Sequence, residues 1–274
     1  MNYRHAYHAG NFADVVKHLA LTAVLLHLRK KDAPFAVIDS HAGRGEYDLA
    51  GDEAQRTGEA AGGIGRLTGV QGGTPALKAY LDLVGGRKAY PGSPVIAAAL
   101  LRERDRLVAI EKHLEDGAVL TAALRPYRRA HAEIADGYAR LAALLPPPER
   151  RGVVLIDPPF EAEDEFEKAA RGFASAYRRF ETGIYLVWFP IKSRSQADGF
   201  CGEALAVGVK KALRLDVALG APSADKLTAA GLLVVNPPFG FAGEMSAALA
   251  LVTPLLGSHE APAEARIGWL AGAE

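Results

Sequence analysis

A single cysteine, Cys201, in a chain of 274 residues excludes an internal disulfide framework and any metal site built from several cysteines. A reducing compartment suits such a chain, and a cytoplasmic protein is expected. Neither sign of charge is in excess, because 32 Lys plus Arg stand against 32 Asp plus Glu. No bulk positive field therefore draws in nucleic acid, and any such binding requires a local basic face. No uncharged apolar run reaches membrane-spanning length, and the opening Met1 to His8 is polar where a signal peptide needs an apolar core. Internal repeats and low-complexity tracts are absent. So are metal-ligand spacings and the glycine-rich phosphate loop that ends in Lys followed by Ser or Thr. What remains is an ordinary globular composition, long enough for one large α/β domain or one domain carrying an insertion.

The stretch Gly152 to Phe160 stands out against that background. Five small or apolar residues run into Asp157-Pro158-Pro159-Phe160, which predicts a buried parallel strand ending at a shaped loop. The tetrapeptide has two readings. One is a strand that simply stops at a rigid Pro-Pro turn. The other is a holder for the exocyclic amine of a flipped-out base: the Asp157 carboxylate and Pro158 carbonyl accept the two N–H bonds, the prolines fix the acceptors, and Phe160 offers a stacking face.

Along the chain, residues 1 to 10 carry Tyr3, Arg4, His5, Tyr7 and His8 with almost no aliphatic content, which predicts a disordered terminus or an arm closing on a ligand. Asn11 is placed to cap a helix with Asp14 in its first turn and apolar residues at helical spacing as far as Leu28. On it, the pair Lys17-His18 reads most simply as a solvated face. Phe35 to Asp39 predicts a short buried strand leading to Gly43 and Gly45, the first loop of a nucleoside-binding α/β fold. Asp48 occupies the position of the third glycine of a dinucleotide loop, so NAD is disfavoured. Residues 46–92 are glycine-dense around one helical run and read as an inserted, mainly helical subdomain. Ser93-Pro94 reads as cap and first residue of a helix reaching about Arg104. Strands are expected at Arg106 to Glu111, at His131 toward Asp136-Gly137, at Gly152 to Ile156 and at Gly183 to Pro190. Acidic or glycine-bearing ends recur on four successive strands, the one at Phe35 to Asp39 and the first three of these, all expected at one edge of a parallel sheet. Leu213 to Leu219 and Gly231 to Val235 read as an antiparallel pair, which places the second tetrapeptide, Asn236-Pro237-Pro238-Phe239, at the opposite edge. Ala265 to Leu270 could add a last short strand.

Together these stretches resemble the bacterial RlmJ-type family, S-adenosylmethionine-dependent methyltransferases acting on adenine N6 of large-subunit (23S) ribosomal RNA. The resemblance is carried by Tyr3-Arg4-His5, His8 to Asn11, Ala13 to Val15 with Lys17-His18, His41 to Gly43, Arg56 to Glu59 and Tyr90 to Pro94. Ala135 to Gly137, Arg151-Gly152, Ile156 to Pro159, Thr182 to Tyr185 and Asn236 to Pro238 complete it. It implies a class I, Rossmann-like fold with a seven-stranded core sheet, and contacts to the cofactor from His18, His41, Ser93, Glu111 and Asp136-Gly137. It also implies that Asp157 is catalytic and that Tyr3 touches RNA. Phe160 departs from the tyrosine of close relatives, which keeps stacking and loses a phenol hydrogen bond. Gly43 is expected under the cofactor, Asp157 beside it, and Arg4, His5 and Lys17 near the RNA. Further candidates for a basic face are Arg125, Arg128 and Arg129, and Lys192 with Arg194. A monomer needing no metal and no membrane is expected. The same tetrapeptide logic also fits an amine methyltransferase acting on DNA adenine or a protein glutamine, and a noncatalytic ribosome-assembly factor is the rival outside enzymology.

Overall fold

Short runs, most of them rich in Val, Ile and Leu, form the strands: β1 (Ala36–Asp39), β2 (Glu46–Tyr47), β3 (Tyr90–Pro91), β4 (Arg106–Glu111), β5 (Ala130–Ile134), β6 (Gly152–Ile156), β7 (Ile184–Pro190), β8 (Ala212–Ala218), β9 (Ala229–Val235) and β10 (Glu264–Ala271). The structure is a computed structural model that describes residues 5–221, 223, 226–256 and 263–273. Tyr3 and Arg4 lie outside the described residues. Eight strands form one sheet in the order β10-β8-β9-β7-β6-β1-β4-β5, and β2 pairs with β3 in a small ribbon. β1 pairs in parallel with β4 and β6, as do β4 with β5 and β6 with β7. β9 runs antiparallel between β7 and β8, and β10 runs antiparallel along β8. This is the class I methyltransferase arrangement, with β10 making an eighth strand beyond the expected seven.

Alternate residues of the central strands feed two cores. Val37, Leu107, Val153, Leu155 and Leu186 face a layer containing the helices Phe12–Arg29, Pro75–Gly85, Ser93–Leu100 and Phe241–Val252. Ile38, Val108, Val154, Ile156 and Tyr185 face the layer of Gly137–Leu144, Glu165–Arg179 and Arg194–Leu205. Residues 46–92 share the first core: Ala76, Leu77 and Tyr80 of the Pro75–Gly85 helix are fully buried in it. That helix, together with the sheet and the Ser93–Leu100 and Phe241–Val252 helices, encloses Phe12–Arg29 on nearly every side, so 15 of its residues are buried.

Two expectations are corrected here, and a set of candidates is given its place. Lys17 and His18 lie on no solvated face, being only 4% and 1% exposed. An amphipathic pattern could not announce this, because the covering helix lies some sixty residues further along the chain. Second, Gly92 rather than Ser93 caps its helix, which stops at Leu100 rather than Arg104. The candidates Arg128 and Arg129 immediately precede β5, with Arg125 capping the helix before it, and so stand at the N-terminal edge of the parallel strands, away from the edge that Asp157 occupies. Among the described residues, no helix is long and apolar enough to cross a membrane.

Candidate active site

The parallel strands deliver four ends to one edge: Asp39 from β1, Glu111 from β4, Asp136-Gly137 after β5 and Asp157 after β6. A cavity of about 380 Å³ opens there. Its walls include His5, Lys17, His18, His41, Gly43, Ser93, Glu111, Asp136, Gly137, Asp157 and Pro158, which the sequence had marked from widely separated stretches. The loop after β1 is tightly fitted. Gly43 has φ 61°, and a Cβ there would come within 2.2 Å of the Tyr47 hydroxyl; a Cβ on Gly137 would come within 1.9 Å of the Ser40 carbonyl oxygen. Glu111 is fixed by accepting the backbone N–H of Gly43 at 3.0 Å and of His113 at 2.8 Å. Asp136 caps the next helix by accepting from Ala139 N–H and pairs with the Lys112 ammonium at 3.0 Å. His41 stacks edge-on against Tyr138 with ring centroids 4.8 Å apart, and burial pulls its imidazole down to about 4.

A buried polar cluster backs this cavity from the Phe12–Arg29 helix. Asp14 accepts the Gly10 N–H at 2.9 Å, pairs with His5 Nε2 at 3.0 Å and with Lys17 Nζ at 2.8 Å. Lys17 Nζ bridges onward to Asp157 Oδ2 at 2.5 Å. Burial alone would raise the Asp14 carboxyl, but His5 and Lys17 outweigh it and hold the group well below the usual range. Burial would lower Lys17, and its two carboxylate partners overcome that, raising it well above an ordinary lysine. Lys17 thus stays charged. His18 sits at the far side of the cluster, where burial drives it down to about 3, and its Nδ1 hydrogen-bonds the Tyr90 hydroxyl at 2.8 Å. Ser93 Oγ donates to Asp39 Oδ2 at 2.6 Å, while Asp39 Oδ1 is buried without a partner among the described residues. Burial lifts the Asp39 carboxyl to about 7 despite the Ser93 donor.

The family model described as "Ribosomal RNA large subunit methyltransferase D, RlmJ" matches residues 32–271. The chain belongs to this family. It is 40% identical to "Ribosomal RNA large subunit methyltransferase J" of Escherichia coli, over 98% of this chain and 99% of the relative. To the protein of the same name in Haemophilus influenzae it is 36% identical, over 93% and 94% of the two chains. A crystal structure of a protein from Legionella pneumophila superposes with a TM-score of 0.86 at 31% identity, covering 95% of this chain and 98% of that one. The protein is therefore a methyltransferase of the RlmJ family with the class I fold.

Within this RlmJ-family site, Phe160 departs from its expected place. It does not line the main cavity, and it is only 6% exposed, with φ 50° and its ring packed against Phe166 at 4.7 Å and Trp188 at 5.7 Å. Little of its ring face is open to receive a base. His5 to Tyr7 form a single 3-10 turn; His5 packs edge-on against Tyr47 at 5.0 Å, and His8 hydrogen-bonds Glu59 at 2.8 Å. Residues 5 to 10 are thus packed against the body of the protein. Sequence reasoning missed Asp14 as the hub, Tyr138 and Trp188. The Asp14, Lys17, His18 spacing of three and four puts all three on one helix face, a signal that was available. Trp188 is hidden inside an apolar strand and gives no such signal.

Proposed function

We propose that this protein transfers a methyl group from S-adenosylmethionine to N6 of an adenine in 23S ribosomal RNA, in the cytoplasm and without a metal. The observation that carries the reading is the Lys17–Asp157 pair on the wall of a cavity bordered by strand-end carboxylates. Family membership supplies the ribosomal RNA context, as the names of the relatives state.

The residues suit the cofactor chemically. Its cationic sulfonium and amino groups match a cavity edge rich in carboxylates, and just behind Ser93 the buried Asp39 carboxyl keeps Oδ1 without a partner among the described residues. Glu111, already oriented by two backbone donors, would hold the ribose hydroxyls; His41, Asp136 and Gly137 would flank the adenine; Ser93, His18 and Gly43 would border the remainder. When bound, the cofactor supplies an electrophilic methyl group.

The chain's own part is orientation. Adenine N6 is a poor nucleophile because its lone pair is delocalised into the ring. Asp157 and the Pro158 carbonyl accept the two N–H bonds and turn the lone pair toward the methyl. Lys17 holds the Asp157 carboxylate in place through their ion pair, so the acceptor needs no reorganisation during transfer. The proton released from N6 leaves through the Asp157 side of the site to solvent, and no covalent intermediate is needed.

Labelled methyl transfer to deproteinised ribosomal RNA, DNA and protein fractions, followed by mass spectrometry of the digests, tests the reading. N6-methyladenosine from the large-subunit RNA is expected. Label in DNA adenine or protein glutamine would replace the substrate, and no transfer to any fraction would leave a noncatalytic assembly role.

A further inference from the structure

Beside the main cavity lies a second one of about 250 Å³. The two share Pro159, Trp188 and Leu227 as common walls, and the second is completed by Phe160, Lys192 and Lys226 among others. Trp188 holds the boundary for a reason visible in the strands. β6 and β7 are parallel with Ile156 opposite Val187, so Asp157 and Trp188 are the next neighbours across the sheet edge. In β7 it is the only position not fully buried, in a strand that is otherwise wholly core. Its indole, packed partly against both cores, is only partly covered there. Behind it the rings are backed in series: Trp188 on Phe160 at 5.7 Å, Phe160 on Phe166 at 4.7 Å, and Phe166 on Phe200 at 5.6 Å. These edge-on and tilted contacts buttress Trp188 on the Phe160 side, and the indole itself stays partly exposed.

We infer that Trp188 is the base-stacking residue: the target adenosine enters by the second cavity and lies against the indole, with Phe160 as its buttress. The shared walls let a base on Trp188 direct N6 at Asp157 while its sugar and phosphates stay on the second-cavity side. Lys192 and Lys226 line that side, two cations suited to a phosphate backbone. Stacking suits this role because it secures a flipped base of any hydrogen-bond pattern, while Asp157 and Pro158 select the amine. The inference rests on the adenine-N6 reading above.

The chain has two tryptophans, so Trp269→Phe leaves Trp188 as sole emitter. The probe is a short RNA carrying the adenosine that mass spectrometry locates, compared with the same RNA lacking that base. Saturable quenching of Trp188 by the first RNA and little by the second is expected. In parallel, Trp188→Leu should lower kcat/KM for large-subunit RNA by roughly tenfold or more, with Trp188→Phe recovering much of it. Cofactor affinity by calorimetry should stay within about twofold, which separates a stacking role from a collapsed site. Lys192→Glu and Lys226→Glu should weaken RNA binding and flatten its salt dependence. Equal quenching by both RNAs, or a folded Trp188→Leu enzyme with unchanged kcat/KM, would overturn the inference and leave the adenine-N6 activity standing. Absence of adenine methylation by the unmodified protein would instead remove the reading beneath it.

Discussion

Asp157 accepts from the buried Lys17 ammonium at 2.5 Å and lines the cavity, and the proposed mechanism adds a second demand, acceptance of the substrate amine. These demands separate in mutants. Asp157→Asn retains an oxygen for Lys17 but loses the charge, so it should fold with a melting temperature within a few degrees of the parent. Its kcat should fall by roughly 10²-fold or more, with cofactor affinity within a small factor. Asp157→Leu leaves Lys17 with Asp14 alone and should lose stability as well as activity, because removing one partner of a buried ion pair is costly. Normal turnover in a folded Asp157→Asn enzyme, measured at saturating RNA, would sink the acceptor mechanism. At this scale the sequence was legible wherever a residue stood at the end of a strand. His41, Gly43, Glu111, Asp136 and Asp157 needed only the alternation of strands and turns to be placed together. Lys17 and His18 were misread, since their burial depends on Tyr80 and its helix, which no local pattern connects to residue 17.

At the scale of elements, two tetrapeptides of the same pattern end β6 and β9, and only strand direction ranks them. β9 is antiparallel to β7 in the register Tyr185 opposite Val235, so Asn236 emerges beside the start of β7. There its Nδ2 donates to the carbonyls of Glu181 and Gly183, both at 2.7 Å, and its backbone adopts φ 53°. The side chain ties a left-handed turn to the neighbouring strand, a structural task. Asn236→Ala should lose both bonds and place alanine in a disfavoured conformation, costing about 1–3 kcal/mol. Asn236→Gly should recover part of that by relaxing the backbone. Both should keep near-parental methyl transfer per folded molecule. A folded but inactive Asn236→Ala protein would contradict the topology. This part of the fold was readable because the loop between β8 and β9 is too short and polar for a crossover helix. By contrast the pairing of β10 beyond β8 was only a possibility in the sequence, because an alternating edge strand looks the same wherever it docks. The basic candidates Arg125, Arg128 and Arg129 could not be placed for a related reason: charge is visible in the sequence, but which end of a strand it precedes is known only once direction is known.

The whole molecule buries an unusual set of titratable groups around one cavity, and their balance sets its response to acid. His18 and His41 are neutral in the folded protein, held down to about 3 and about 4 by burial, whereas an exposed histidine titrates near 6.5. A depressed folded pKa contributes stability that is complete above the unfolded value and is lost as pH falls from there toward the folded one. Asp39 works in the other sense. Burial raises it from 3.8 to about 7, so its contribution is full at low pH and disappears as pH rises through that interval. Between about pH 4.5 and 6 the unfolded chain holds two histidine protons that the folded protein lacks, while the folded protein holds one on Asp39 that the unfolded chain lacks. Unfolding therefore takes up about one net proton from these three groups, and stability should fall on acidification by roughly 1.4 kcal/mol per pH unit. His8 is raised by its hydrogen bond to Glu59 and is protonated in both states over this window, so it drops out. Asp39→Asn removes the opposing proton and should make the dependence about twice as steep. Urea midpoints across the window, for the parent and the Asp39→Asn variant, measure both slopes. A flat parent profile, or a variant no steeper than the parent, would mean that the histidines facing the cavity are reached by water and protons in the folded state, and that the cavity wall is more open than its packing against Tyr138 and Tyr90 requires.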